Sequence, residues 1–143
     1  MGEYIQKYIE IIVSMLQKKA LRLVAKVDYL SATKPIFHAF NTLNIYDLID
    51  LNTAIVMYKA FKNVLPTNLQ KYFILTGNVH SYNTRQCNHF HTHSRKTTLK
   101  SMCLSNRGVT LWNSLSSNVK LSRSCFMFEK ILKFDLLQAY LGE

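Results

Sequence analysis

Cys87, His89, His91 and His93 stand at every second position of the run Cys87-Asn88-His89-Phe90-His91-Thr92-His93. In an extended chain alternate residues share a face, so all four would converge on one point. Thiolate and imidazole suit zinc, but this is not the spacing of a structural zinc site, and a second ligand pair is missing. The plainer reading of the run is a His-rich polar loop that gains charge below about pH 6.5. Cys87 also has His89 close by, yet a thiol nucleophile needs a base and a group that orients the base. No acid lies anywhere in residues 51–128 to do so. Asp47 and Asp50 are three positions apart and would be neighbours on a helix. Two-metal catalysis clamps ions about 4 Å apart with more acids than these two. At a helix N-terminus, by contrast, a carboxylate is favoured by the helix dipole. There is no Gly-rich phosphate loop, no GxSxG and no HExxH. The residues therefore predict a non-catalytic chain with no cofactor and no metal site.

A second pattern is electrostatic. Eighteen Lys and Arg stand against eight Asp and Glu, a net charge of +10 with His neutral. The acid-free residues 51–128 hold Lys59, Lys62, Lys71, Arg85, Arg95, Lys96, Lys100, Arg107, Lys120 and Arg123, with four of the five histidines. A basic surface of this kind attracts polyanions, nucleic acid foremost. Within it, His80-Ser81-Tyr82-Asn83-Thr84-Arg85 combines an aromatic ring, hydrogen-bonding groups and a fixed cation. RNA-binding modules use such sets, stacking rings on splayed bases and holding phosphate with Arg. Tyr82, Arg85, Arg95, Lys96, Lys100 and Arg107 are the expected contacts to RNA or DNA, made without sequence preference. Tyr82 would stack and the cations would neutralise phosphates.

The elements that must position these residues read as mainly helical. Ile5, Ile9, Ile12, Leu16, Leu23 and Val27 recur at helical spacing and predict one long helix over 4–29. Pro35 suits the first turn of a short helix carrying Phe37 and Phe40. Asn44 can cap the next helix, whose stripe is Leu51, Ile55, Tyr58 and Leu65, with Pro66 as its stop. Residues 67–74 add a turn or two. Residues 78–100 are polar and irregular, a length that in a compact domain is often functional. They are compatible with a small β-hairpin, since Tyr82, Thr84 and residues 97–99 suit strands. Helicity resumes at about Gly108 with Val109, Leu111, Trp112 and Leu115, and Ser124 caps a last helix to about Leu141. The expected core is Ile12, Leu16, Leu23, Ile55, Tyr58, Leu111, Trp112, Phe128 and Leu132. The fold class is thus a small, mainly α domain of about five or six helices with an irregular, hairpin-compatible middle.

The three cysteines are widely spaced and odd in number, so a disulfide framework is not expected and a reducing compartment is the default. No secretory signal is legible, and the longest uncharged apolar run near the start, residues 11–16, is far short of the roughly 20 residues of a membrane span. The expected setting is intracellular, cytoplasmic or nuclear, with no membrane partner. The sequence does not indicate an oligomeric state.

Several runs together carry a resemblance. They are Leu43-Asn44-Ile45-Tyr46-Asp47-Leu48, then Met57-Tyr58-Lys59, then Asn63-Val64-Leu65-Pro66, then the hexamer from His80 to Arg85. Arg107-Gly108 with Leu111-Trp112-Asn113-Ser114-Leu115 and a closing Phe128-x-x-x-Leu132-Lys133 complete the series. In this order they resemble the C-terminal region of reverse transcriptases from non-LTR retrotransposons of LINE type, jockey- or CR1-like. The segment Leu16-Gln17-Lys18-Lys19-Ala20-Leu21-Arg22 resembles the helix that opens that region. The likeness spans residues 15–141 within a single domain of residues 1–143. The family's Tyr/Phe-x-Asp-Asp polymerase block and its endonuclease acids are absent from the chain. The resemblance therefore implies a truncated element's tail, downstream of the polymerase, that helps grip template RNA or target DNA. It equally admits a helical remnant with a structural or interaction role and no retained activity.

Overall fold

The computed structural model describes residues 2–79, 87–92 and 97–142, without the side chains of residues 2, 3, 98 and 99. Among them run nine helices: α1 (Gly2–Ala25), α2 (Lys34–Ala39), α3 (Ile45–Phe61), α4 (Thr67–Gln70), α5 (Thr76–Val79), α6 (Thr98–Met102), α7 (Leu104–Ser114), α8 (Ser117–Lys120) and α9 (Cys125–Gln138). The protein is mainly α, as expected. The excess over five or six helices comes from α4, α5 and α8, each a single turn of four residues. The chain divides into two compact units, Met1–Leu51 with Glu129–Glu143, and Asn52–Phe128.

In the first unit the helix ends are set by local chemistry. The predicted cap at Asn44 forms, its Oδ1 accepting from the Asp47 N–H at 3.0 Å. Asp47 thereby sits in the first turn of α3, as its charge favours. The Asn44 side-chain amide donates to Asp47 Oδ2 at 2.6 Å and to the Tyr140 hydroxyl oxygen at 3.1 Å. The Asn44 N–H donates to the same hydroxyl at 3.1 Å, and that hydroxyl donates to Asp47 Oδ2. Tyr140 is buried and packs its ring 6.0 Å from Phe37. Burial, with help from the bond to Asp47, holds its phenol well above its ordinary value of 10. Unfolded chains then lose this proton near pH 10 while folded chains keep it, so the stabilisation is whole below pH 10 and drains away as pH rises further. Chemical denaturation from about pH 8 to 11.5 should show a falling midpoint whose slope Tyr140→Phe reduces. At neutral pH that variant should cost about 1–3 kcal/mol, because Asn44 and Asp47 lose a buried partner.

Three helices stop on left-handed residues other than Gly. Lys26 ends α1, Asn41 ends α2 and Asn63 ends α3, with φ of 53°, 51° and 56°. Each is followed by a long-reach bond back into its helix: Val27 N–H to Arg22 O at 3.2 Å, Thr42 N–H to Phe37 O at 3.0 Å, Val64 N–H to Lys59 O at 2.9 Å. This is the Schellman closure, which satisfies carbonyls the helix leaves orphaned. It corrects two expectations. The first helix ends at Ala25 rather than 29, and α3 ends at Phe61, before Pro66 can act.

A larger correction concerns α1. Ile12, Leu16 and Leu23 were expected in the core, yet they are 42%, 59% and 79% exposed. Among the described side chains of α1, only Glu10, Ser14, Gln17, Leu21, Arg22 and Ala25 are not exposed. The helix packs through this largely polar stripe. Gln17 donates to Leu43 O at 2.9 Å and accepts from Ile45 N–H at 3.0 Å. Arg22 Nε donates to Ser31 O at 3.0 Å and lies over Tyr29. These bonds offset the desolvation of the polar groups, and they leave the apolar stripe facing outward.

In the second unit the core is aromatic. Trp112, Phe90, Phe128, Met57 and Val109 are each under 2% exposed. Trp112 lies 5.2 Å from Phe61, 5.7 Å from Phe90 and 6.1 Å from Phe128, which stacks on Tyr58 at 4.6 Å. Tyr58, Trp112, Phe128 and, in the first unit, Leu132 are buried as expected; Ile55 and Leu111 are half-buried. The Tyr58 hydroxyl donates to Ser122 O at 2.7 Å, which satisfies it inside the core. Gly108 on α7 faces Met57 on α3 so closely that a Cβ there would come 2.7 Å from the Met57 sulfur.

The predicted irregular middle holds one isolated antiparallel bridge, Leu75 to Phe90, and no strand among the described residues. Thr76 N–H donates to His89 O and His91 N–H to Ile74 O, both at 2.8 Å. On the other edge of Phe90, Asn113 does a strand's work. Its Oδ1 accepts from Phe90 N–H and its Nδ2 donates to Phe90 O, both at 3.0 Å. Tyr82 and Thr84 lie outside the described residues. Residues 97–99, expected as strand, instead start α6, because the Thr97 hydroxyl caps it by accepting from Lys100 N–H at 3.3 Å. Helicity resumes before Gly108, since Cys103 O accepts from both Asn106 and Arg107 N–H at 2.9 Å and starts α7 at Leu104.

Candidate nucleic-acid interface

The second unit, Asn52–Phe128, contains no Asp or Glu and ten Lys and Arg. The first unit holds the other eight cations against all eight acids. The whole net charge of +10 therefore resides in one compact unit whose boundaries nearly coincide with those of the acid-free stretch. A field of one sign concentrated in this way attracts a polyanion more strongly than the same charge dispersed among acids.

Of the six contacts expected from sequence, Tyr82, Arg85, Arg95 and Lys96 lie outside the described residues. Lys100 is exposed on α6, and Arg107 is half-buried on α7. The two helices are tied by Asn106, itself buried, whose Nδ2 donates to Lys100 O at 2.6 Å. Lys59, Lys62, Lys71 and Arg123 are also exposed. Lys59 and Lys62 stand at the C-terminal end of α3, where the helix dipole alone favours cations. Lys62 lies 5.4 Å from the Tyr58 ring centroid and 5.6 Å from that of Phe61.

Lys71 was counted only as one cation of the acid-free stretch, and Tyr72 and its pairing with Lys71 were missed by the sequence reading. Tyr72 is 55% exposed and Lys71 places its ammonium 5.4 Å from that ring's centroid. An open ring beside a cation is the pairing that binds single-stranded nucleic acid, the ring taking a base and the cation a phosphate. Beside it opens an apolar cleft of about 280 Å³ lined by Tyr72, Phe73, Val56, Leu65, Leu69 and Leu104. The available signal was the adjacency of Lys71 and Tyr72 just after a Pro-started turn, which exposes side chains on all sides.

Lys120, one of the ten cations of the acid-free stretch, does not belong to its exposed surface. It is 3% exposed, its Nζ donates weakly to Asn113 O at 3.4 Å, and it lies 5.9 Å from the Trp112 ring centroid. Burial lowers its pKa. The half-buried His89 is likewise lowered, first by burial and then by Lys120. His89 therefore gains charge only below its ordinary value of 6.5. Cys87, His89 and His91 are half-buried, but residues 87–89 form a turn rather than an extended strand, and Asn88 and Thr92 are exposed where Phe90 is buried, so the strand-like alternation expected of this run does not form. His93 lies outside the described residues, and among those described no three of His, Cys, Asp and Glu come together. Cys87, Cys103 and Cys125 form no disulfide. No described helix is long and apolar enough to cross a membrane.

No protein-family model, no curated protein and no solved structure matches the chain.

Proposed function

We propose that this chain is a non-catalytic, basic nucleic-acid-binding module derived from the C-terminal tail of a non-LTR retrotransposon reverse transcriptase. The observation that carries the reading is the segregation of charge: a compact, acid-free Asn52–Phe128 unit bears the entire net charge. Its exposed cations, together with Tyr72 and the sequence-predicted Tyr82, Arg85, Arg95, Lys96, Lys100 and Arg107, would bind RNA or DNA through phosphate and stacking, independent of sequence. The ordered motif series named above supports the descent. The setting of such a module would be cytoplasmic or nuclear.

The test is affinity for a labelled structured RNA and a DNA duplex across about 50 to 200 mM salt. Each neutralised phosphate adds roughly 0.7 to 0.9 to the slope of log affinity against log salt. A slope of several units is expected, falling by about 2 to 3 when Arg85, Arg95 and Lys96 become Ala. Tyr72→Ala should weaken single-stranded binding by about 1–3 kcal/mol and leave the duplex slope unchanged. A folded protein that binds neither probe at the lowest salt has no such function.

A second reading, a structural or interaction role, is favoured by a different observation. The apolar side chains of α1 that face outward form a contiguous stripe rather than scattered single residues, which would suit a docking face.

A further inference from the structure

On α1, positions 5, 9, 12, 16, 19 and 23 alternate at spacings of four and three, the a/d rhythm of a coiled coil. They are Ile5, Ile9, Ile12, Leu16, Lys19 and Leu23, all exposed. The flanking positions of the same face carry Gln6, Tyr8, Val13, Met15 and Ala20, all exposed, while Arg22 is turned to Ser31 and Tyr29. This face lies opposite the polar stripe of Glu10, Ser14 and Gln17 through which α1 packs on its own unit. Among the described residues the seam is therefore presented outward.

We propose that α1 docks antiparallel on α1 of a second copy of this chain, forming an isologous two-helix seam. Three features select that occupant. The first is self-complementarity. An isologous interface requires one patch that matches itself across a two-fold axis. With the axis near Ser14, Ile5 meets Leu23, Ile12 meets Leu16, Val13 meets Val13 and Met15 meets Met15, so apolar groups oppose apolar groups along most of the helix. The second is charge. Lys19 is the one ionised residue among those six a/d positions. A parallel pair would press two Lys19 ammoniums together. The antiparallel pair sets each against Ile9, roughly 15 Å along the axis from its twin, beyond the screening length of about 8 Å at physiological salt. The third is area. Ile5, Tyr8, Ile9, Ile12, Val13, Met15, Leu16 and Leu23 are 39% to 79% exposed. Together they offer on the order of 700 Å² per helix, close to the roughly 800 Å² per partner of a standard interface. The unit that bears α1 has equal numbers of cations and acids, so it adds no net repulsion of its own. The seam is independent of nucleic-acid binding, which is assigned to the other unit.

The experiment is sedimentation velocity of the whole chain, nuclease-treated and in about 0.5 M salt so that nucleic acid cannot bridge copies. A concentration-dependent dimer is expected. Ile12→Lys should raise the dissociation constant on the order of a hundredfold or more, because it buries an unpaired ammonium in the seam. Its circular dichroism should be unchanged, since Ile12 lies on the outward face. Orientation is read at Ile9. In the antiparallel seam Ile9→Glu faces Lys19 and keeps more of the dimer than Ile9→Lys does. In a parallel seam both place like charges together and weaken it equally. A monomer at all concentrations overturns the proposal, including one that instead floats with anionic lipid vesicles. So does a dimer that Ile12→Lys leaves intact, and equal weakening by the two Ile9 variants overturns the antiparallel seam.

Discussion

Trp112→Ala will lower the unfolding free energy of the Asn52–Phe128 unit by about 3–5 kcal/mol, the range for removing a fully buried aromatic. Trp112 has no exposed surface and touches three other rings, so nothing small can refill the space. Its indole N–H also donates to Asn88 O at 3.2 Å, and truncation leaves that carbonyl without its donor. With native stabilities of about 5–15 kcal/mol, such a loss brings a domain near its unfolding threshold. Urea unfolding followed by far-ultraviolet circular dichroism is the appropriate measurement, because the chain's single Trp is the one removed. A cost below about 1 kcal/mol would show that the ring cluster does not hold this unit together.

Gly108→Val is the second large effect, and it runs through overpacking rather than loss. A Cβ at this position meets the Met57 sulfur at 2.7 Å and Leu104 Cδ1 at 3.0 Å. Met57 has no exposed surface into which to move. Inserting bulk into a filled core costs about 1–3 kcal/mol. The helical gain from losing a Gly, at most roughly 0.5 kcal/mol for a β-branched Val, only partly offsets it. The close approach of α7 to α3 is thus the physical reason for a glycine inside a helix. A double-mutant cycle with Met57→Ala should recover part of the loss, with a coupling of about 0.5–3 kcal/mol. Additive costs would mean that the clash is not with Met57.

Several of these features could be read from the sequence, for identifiable reasons. The caps at Asn44 and Ser124 were legible because side-chain capping is a local affair of three residues. Trp112, Tyr58 and Phe128 were legible as core because large rings at helical spacing have few other places to go. The side on which α1 would pack was not legible. Periodicity tells which residues share a face; it does not tell whether that face meets the chain's own body. Here two backbone bonds from Gln17 and one from Arg22 hold the polar side inward, and nothing in the spacing of Ile12, Leu16 and Leu23 reveals it. The stop at Asn63 was missed for a related reason. A left-handed Asn carries a weaker signal than the Pro three residues later. Of the candidate site, the acid-free stretch was plain in the composition, whereas the adjacency of Lys71 and Tyr72 gains meaning only once both are known to be exposed.

The arrangement around Phe90 has a consequence for solubility. A lone bridged segment with a free outer edge is a template: its unpaired N–H and C=O invite a strand from another molecule. At Phe90 that edge is already occupied, because the Asn113 carboxamide presents one acceptor and one donor as a neighbouring peptide group would. A side chain cannot propagate the ladder, so the pairing begun by Leu75 and Phe90 terminates there. Asn113 thus acts as a chain terminator for β-sheet growth beside a bridge whose rings, Phe73 and Phe90, are already packed edge-on in the core.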